Sequence, residues 1–284
     1  MQEIEAGRGL DGSYGQYVHL DLTHLGEQKI DSQLPMVREL CKIYAGVDPV
    51  YEPIPIRPVV HYMMGGVDVD IDGATTIGGL YAAGETACVS LNGANRLGSN
   101  SLTECLVFGA RSGIAAVSFA KGASEGNEDR ARAQADEEQA RVDALRGRDK
   151  GGEKLSHIRG EMQKTMENGC GVYREEASMQ QTVREMGQLR GRTSDLHLED
   201  KSKVFNTEIV AALELQNMVE VAETVAVSAA ARNESRGAHT RRDSPTRDDQ
   251  NFLYHTLCYF DPAGPRLDKK TVTLGKWEPE ERKY

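Results

Sequence analysis

The stretch Gly79-Leu-Tyr-Ala-Ala-Gly-Glu85, followed after a short loop by Gly93-Ala-Asn-Arg-Leu-Gly-Ser-Asn-Ser-Leu-Thr-Glu104, decides how this 284-residue chain is read. Leu80-Tyr-Ala-Ala83 is a short apolar run closed by Gly84-Glu85, the pattern of a buried strand with an acid at its carboxyl end. Ser101-Leu-Thr-Glu104 has the spacing of a capping box and opens an apolar helix through Leu106, Phe108 and Ala115. Ten of the 29 glycines fall between Gly65 and Gly113. Such a concentration marks backbone that turns tightly or comes close to something else.

Upstream of this block, Val67-Asp-Val-Asp-Ile71, the pair Asp72-Gly73 and Thr75-Thr-Ile77 predict a hairpin. Pro53-Ile-Pro55-Ile-Arg-Pro58 must be extended, because each proline drives its predecessor out of the helical region, and it suits a crossing between domains. Val18, Leu20 and Leu22 alternate with His19 and Asp21, which predicts a strand with one buried face. Ser32 has the place of an N-cap before a stripe of Leu34, Val37, Cys41 and Tyr44, which Gly46 and Asp48-Pro49 close. Met1 to Gly7 read as the last turns of a helix stopped by glycine, with no start signal before them.

Downstream, the composition changes. Charged residues make up 22 of the first 123 positions and 56 of the following 161. Leu155, Ile158, Met162 and Met166 form one helical stripe, and Met179, Val183, Met186 and Leu189 another, with the methionines as core filling. Asn206 caps a long helix reaching Arg232, and Ser124–Lys150 is a solvated helix. From Thr240 on, prolines and short β-prone pieces such as Thr271-Val-Thr-Leu274 predict a small irregular domain. Arg236, Arg241, Arg242 and Arg247 cluster among Asp243, Asp248 and Asp249, a pattern of structural salt bridges rather than of a partner surface.

Composition also excludes function classes. The formal net charge of −10 argues against nucleic acid as the main partner, since phosphate binding needs clustered lysine and arginine. No run approaches 18 uninterrupted apolar residues, so no bilayer span is expected. Cys41, Cys88, Cys105, Cys170 and Cys258 are far apart, without a CxxC pair or histidines at ligand spacing. That spacing builds neither a zinc site nor a disulfide framework, and reduced structural cysteines in a reducing compartment are expected.

The chemistry lies in the central block. Gly84 lets a ligand approach the backbone, and Glu85 can accept hydrogen bonds from hydroxyls such as those of a ribityl chain. The helix start near Ser101 aims free N–H groups and a positive dipole end at what precedes it, which suits the pyrimidine portion of a reduced flavin. Arg96, in a glycine-flanked loop, can clamp a carboxylate bidentately. Taken singly, His61 reads as a structural histidine, Arg96 as half of a salt bridge and the glycines as turns. Together with His61-Tyr-Met-Met-Gly-Gly66 they are specific.

That block resembles the FAD-dependent succinate dehydrogenase and fumarate reductase flavoprotein subunits. The likeness extends to His19-Leu-Asp-Leu-Thr-His-Leu-Gly26, Val47-Asp-Pro-Val-Tyr-Glu-Pro-Ile-Pro-Ile-Arg-Pro58, Gly169-Cys-Gly-Val-Tyr173, Ser235-Arg-Gly-Ala-His239 and Arg247-Asp-Asp249. The resemblance implies that His61 and Arg96 bind the dicarboxylate substrate, succinate or fumarate, that Glu85 contacts FAD, and that Ser101 and Leu102 contact the isoalloxazine. It implies hydride transfer between a substrate carbon and the flavin while a proton moves at the neighbouring carbon. The protein then supplies position and charge. It implies no metal site in this subunit, an iron–sulfur subunit that takes the electrons, and an indirect membrane-anchor partner. The subunit would sit peripherally on the cytoplasmic face of the membrane.

The family's N-terminal dinucleotide fingerprint, FAD-linking histidine, second substrate histidine and proton-shuttling arginine have no counterpart in these residues. The resemblance thus makes this chain the C-terminal portion of such a subunit, inactive as an isolated fragment. The expected fold is α+β and multidomain. Residues 1–57 are the remainder of the capping domain and 58–122 the C-terminal segment of a Rossmann-like FAD-binding domain. Residues 123–239 form a helical-bundle domain and 240–284 a small C-terminal domain. An L-aspartate oxidase-like flavoenzyme is the alternative enzyme, against which Gly98 and Ala238 weigh. A non-catalytic remnant acting as a binding module is the alternative of another class.

Overall fold

The computed structural model describes residues 1–13, 15–124, 126–148, 151–276 and 278–280. The chain divides into two compact units, Met1–His61 and Tyr62–Tyr284. Glu125, Asp149 and Lys150 of the expected solvated helix, and residues 277 and 281–284 of the tail, lie outside the described residues.

In the first unit the opening helical turns stop at Gly7, which adopts φ +76°. Strand β1 (Val18–Leu20) pairs antiparallel with β2 (Ile54–Ile56), so the proline-rich passage is extended as its prolines require. Val18 is half-buried but Leu20 is exposed, because a two-stranded ribbon covers little of either face. Ser32 does not cap a helix. It lies in the last turn of α1 (Glu27–Gln33) and its hydroxyl donates to the Lys29 carbonyl at 3.1 Å. Helix α2 (Pro35–Leu40) starts instead on Leu34, with Pro35 supplying the preset φ of a first helical residue. Leu34, Val37 and Cys41 are half-buried, whereas Tyr44 is 83% exposed. The wider π-type turn over Cys41–Ala45 inserts an extra residue and rotates Tyr44 off the stripe, before Gly46 at φ +68° ends the helix. Ile30 is fully buried, and Arg38 forks onto Asp48 at 3.0 and 2.9 Å.

The second unit opens with β3 (Val67–Asp68), parallel to β4 (Ala87–Cys88). The Asp72-Gly73 turn is present, with Gly73 at φ +76° and its N–H donating to the Asp70 carbonyl at 3.0 Å. The expected hairpin does not follow from it. The start of the arm, at 67–69, is engaged by β4, the Asp70 N–H makes one bond across the turn to the Ala74 carbonyl, and Ala74 then bridges Tyr81. Leu80–Ala83 is likewise no strand. Tyr81 makes that single bridge, Leu80 is exposed, and a tight 3-10 turn, Gly84–Thr86, follows. An apolar run becomes a strand only when ladder partners lie alongside it, and one bridge does not make a ladder.

Helix α3 (Asn100–Gly122) begins one residue before Ser101, on Ser99 in a left-handed conformation (φ +68°) with no side-chain cap. The expected capping box is absent, because Glu104 turns inward and bonds elsewhere. Among the described residues α3 is the helix long and apolar enough to cross a membrane by length and composition. One face is nevertheless tied to this unit. Arg111 Nε donates to the Ile71 carbonyl at 2.9 Å, Arg111 pairs with Asp72, and Phe108 and Ser112 are buried. Its other side carries Leu102, Leu106 and Ile114, each about three-quarters exposed.

Helix α4 (Glu128–Gly147) is solvated along most of its length, as its charge predicts. Helices α5 (Leu155–Cys170), α6 (Glu176–Thr193) and α7 (Thr207–Ala230) pack together. Ile158, Met179, Met186, Leu215 and Val219 are fully buried between them, with Met162 nearly so, and the methionine stripes fill the core. Asn206 Oδ1 accepts the N–H groups of Glu208 and Ile209, the anticipated cap, and α7 ends two residues short of Arg232. After α8 (Asp249–Phe252), β5 (Tyr254–Tyr259) pairs antiparallel with β6 (Arg266–Thr271). The β-prone piece at Thr271–Leu274 thus enters the strand only at Thr271. The turn around Gly264 fixes Tyr259 opposite Arg266, and register decides the strand rather than propensity. The arginine cluster is ion-paired as expected: Arg236 to Asp249 at 2.6 Å, Arg241 to Asp243 at 2.7 Å and Arg247 to Asp249 at 2.8 Å. The five cysteines are unpaired.

Candidate active site

The loop between β4 and α3 carries the arginine, and its ends are strained. Ser90 and Ser99 both adopt left-handed backbone, at φ +67° and +68°, although neither is glycine. Ser90 is held by its hydroxyl, 2.6 Å from His255 Nε2 on β5. Within the loop, Arg96 lays its guanidinium over the Tyr62 ring, 4.3 Å from the centroid, and Nη1 donates to the Leu97 carbonyl at 2.8 Å. Arg96 Nε is buried and has no hydrogen-bond partner. A buried guanidinium donor left unsatisfied costs free energy that an incoming carboxylate would return.

Beneath Arg96 lies a polar cluster. Tyr62 donates its hydroxyl proton to Glu104 Oε2 at 3.0 Å, and Asn92 Nδ2 donates to the same oxygen at 2.7 Å. Glu104 is 2% exposed, in the first turns of α3. Burial and the neighbouring carboxylate push the Tyr62 phenol up to about 12, so it remains a donor at neutral pH. Cation, ring, hydroxyl and carboxylate are thus linked contact by contact from the loop to the helix. Sequence reasoning did not assign Tyr62 or Asn92 any part here, and took Glu104 for a cap. Their adjacency to His61 and to the arginine loop was the available signal.

Glu85 lies in the turn after Gly84 (φ +77°), exposed, with Oε1 accepting the Met63 N–H at 2.9 Å. Gly84 is buried, and a Cβ there would crowd Cys105 Sγ. Ser101 is half-buried and Leu102 75% exposed, both in the first turn of α3. The Asn100 N–H is taken by the Leu97 carbonyl at 3.2 Å, but no side chain caps the turn, so the N–H groups that follow it and the positive dipole end face an incoming acceptor. This donor set, with a glycine-flanked carboxylate, fits a flavin that needs hydrogen bonds at its ring and ribityl hydroxyls. Arg96, Glu85, Ser101 and Leu102 belong to the second unit. His61, exposed, is the last residue of the first.

Comparison with known proteins agrees along the chain. Residues 1–102 match the model of an FAD binding domain, and residues 159–284 that of the fumarate reductase flavoprotein C-terminal region. The Mycobacterium tuberculosis fumarate reductase flavoprotein subunit is 50% identical over 291 residues, covering 100% of this chain and 50% of that protein. A solved E. coli quinol fumarate reductase variant superposes with a TM-score of 0.93 at 45% identity, covering 99% of this chain and 48% of that one. The Mycobacterium smegmatis Sdh1 complex matches with a TM-score of 0.81 at 30% identity, covering 96% and 46%. The chain thus spans about half the length of the relatives it matches. The matched domain makes FAD the cofactor, and the mixed helix-and-sheet fold is that of these flavoproteins. Over the part of the subunit it spans, the chain belongs to the fumarate reductase and succinate dehydrogenase flavoprotein family, a family of FAD-dependent oxidoreductases.

Proposed function

We propose that this chain supplies part of the active site of a succinate/fumarate oxidoreductase. Arg96 grips one substrate carboxylate and His61 assists in holding the dicarboxylate. Glu85 and the α3 start at Ser101 and Leu102 hold FAD. The reading is carried by Arg96: a guanidinium braced on Tyr62, one buried donor unspent, in the loop that leads directly into an uncapped helix start. When bound, FAD accepts or returns the hydride. Around it, the arginine fixes the carboxylate plane and stabilises charge as the neighbouring carbon gains or loses its proton. The N–H groups of α3 at Ser101 and Leu102 would favour electron density on a flavin held there.

The organisation proposed with it assigns residues 1–57 to a capping domain and 58–122 to the FAD-binding domain. It assigns 123–239 to a helical domain and 240–284 to a small terminal domain. The partners proposed are an iron–sulfur subunit that takes the electrons and, through it, a membrane anchor, with the flavoprotein peripheral on the cytoplasmic face. The reading is supported by the relatives named above, one of which is a quinol fumarate reductase. Calorimetric titration with fumarate and, separately, with FAD tests the site. Arg96→Gln is expected to weaken fumarate binding at least ~10-fold, about 1.4 kcal/mol, and to leave FAD affinity unchanged. Equal fumarate affinity in both proteins would sink the assignment of Arg96.

A further inference from the structure

The turn Ser235-Arg-Gly-Ala-His239 lies far from the arginine loop in sequence, yet its backbone meets that loop. The Ala238 N–H donates to the Ala94 carbonyl at 3.0 Å, two residues before Arg96. Gly237, at φ +57°, lies so close that a Cβ there would stand 2.5 Å from the Ala94 oxygen and 2.8 Å from its Cβ. Only glycine offers both that conformation and that space.

The turn is itself rigidly built. Arg236 and His239 exchange backbone hydrogen bonds at 2.8 and 3.0 Å. The Ser235 hydroxyl accepts the Arg241 N–H at 2.8 Å and donates to the Ser244 carbonyl at 2.8 Å. Glu234, fully buried, accepts from Arg232, Arg236 and the Asp248 N–H. His239 Nδ1 lies 2.8 Å from Arg174 Nη1 and Nε2 lies 3.2 Å from the Arg232 carbonyl. An arginine can only donate, so Nδ1 accepts and Nε2 carries the proton, which makes the ring neutral. Burial and the surrounding arginines push its pKa down in agreement.

We propose that this turn positions Arg96: Gly237 and Ala238 clamp Ala94 from one side while Glu104 holds Asn92 from the other, fixing the loop so that the guanidinium stays on Tyr62. Gly237 and Ala238 are positioning residues, and their role in catalysis rests on the reading that Arg96 grips the substrate carboxylate. The helical part of the chain thereby reaches the substrate arginine without placing a side chain at the site.

The test is NMR of the full chain with ¹⁵N-arginine, the Arg96 Nε–H signal being assigned by its loss in Arg96→Lys, followed by titration with malonate, a dicarboxylate that cannot be dehydrogenated. The Tyr62 ring shifts the Arg96 signal upfield in the parent chain. Gly237→Ala moves it to the exposed-arginine position, leaves the Arg192 and Arg241 signals in place, and raises the malonate dissociation constant at least tenfold. Gly237→Asn, which tolerates left-handed backbone but keeps the Cβ, does the same. Gly46→Ala, at similar φ but in open space, does not. An unmoved Arg96 signal in both Gly237 variants overturns the clamp. So does loss of all arginine signals together in both, which would place the turn in the folding core. Absence of any malonate response in the parent chain would refute the carboxylate reading, with the clamp still judged by the Arg96 signal.

Discussion

Glu234→Ala removes a carboxylate with no exposed surface that stands between two arginines. Its Oε1 accepts from Arg232 at 2.6 Å and Arg236 at 2.8 Å, and Oε2 accepts from Arg236 at 3.0 Å and the Asp248 N–H at 2.9 Å. Stripping one partner from a buried ion pair costs roughly 3–5 kcal/mol, mostly through the charge left behind. The arginines are not left bare, however. Arg232 retains the carbonyls of Phe252 and Tyr254 and the Thr256 hydroxyl, and Arg236 retains Asp249. The expected cost is therefore the lower end, about 3 kcal/mol, or ~150-fold in the folding equilibrium. Guanidinium denaturation followed by circular dichroism measures it, and a melt should fall by roughly 6–12 °C. Glu234→Gln should lie between, since its amide turns donors toward donors. A Glu234→Ala chain within about 1 kcal/mol of the parent would refute the reasoning, because the arginines would then be satisfied without the carboxylate.

Asn206→Ala removes an acceptor shared by two N–H groups at the start of α7 and should cost about 1–2 kcal/mol in the same assay. Met179→Ala empties a fully buried site between α5, α6 and α7, for a loss of roughly 2–5 kcal/mol. Glu104→Gln should bring the Tyr62 titration down from about 12 toward the ordinary tyrosine range near 10, read by ultraviolet difference absorbance against pH. No change would place the cause in burial alone. The Arg241 guanidinium holds Asp243 well below the usual carboxylate range. A depressed carboxylate contributes stability above its unfolded value near 3.8 and loses it as pH falls from there toward its folded value. Asp243→Asn should flatten that acid limb of a stability–pH curve and leave the neutral side level.

What could be read ahead of the structure was what neighbours in sequence decide. The Asn206 cap and the methionine stripes depend on residues within one or two helical turns, and they stand where their spacing puts them. Gly7 and Gly46 end their helices for the same local reason. Leu80–Ala83 misled because strand character belongs to a ladder rather than a run, and Tyr81 finds one bridging residue. Ser101 and Glu104 have capping spacing, but Tyr62 and Asn92 draw the carboxylate inward, through contacts no local pattern encodes. The same holds for Gly237 against Ala94: the motif was visible, its target was not. Arg96 was singled out from its loop, whereas the Tyr62 ring on which it lies belongs to another segment.

The two-sided character of α3 also governs how the molecule behaves as a colloid. Leu102, Leu106 and Ile114 form an oily strip on a helix whose opposite side is fastened by Arg111 and Glu104. Fluorescent dyes that seek apolar surface should light up on the folded chain rather than only on its denatured form. Sulfate strengthens contact between such strips, so the chain should salt out early and do so reversibly, since the fold itself is not what gives way. In handling, low sulfate and added arginine should keep it dispersed.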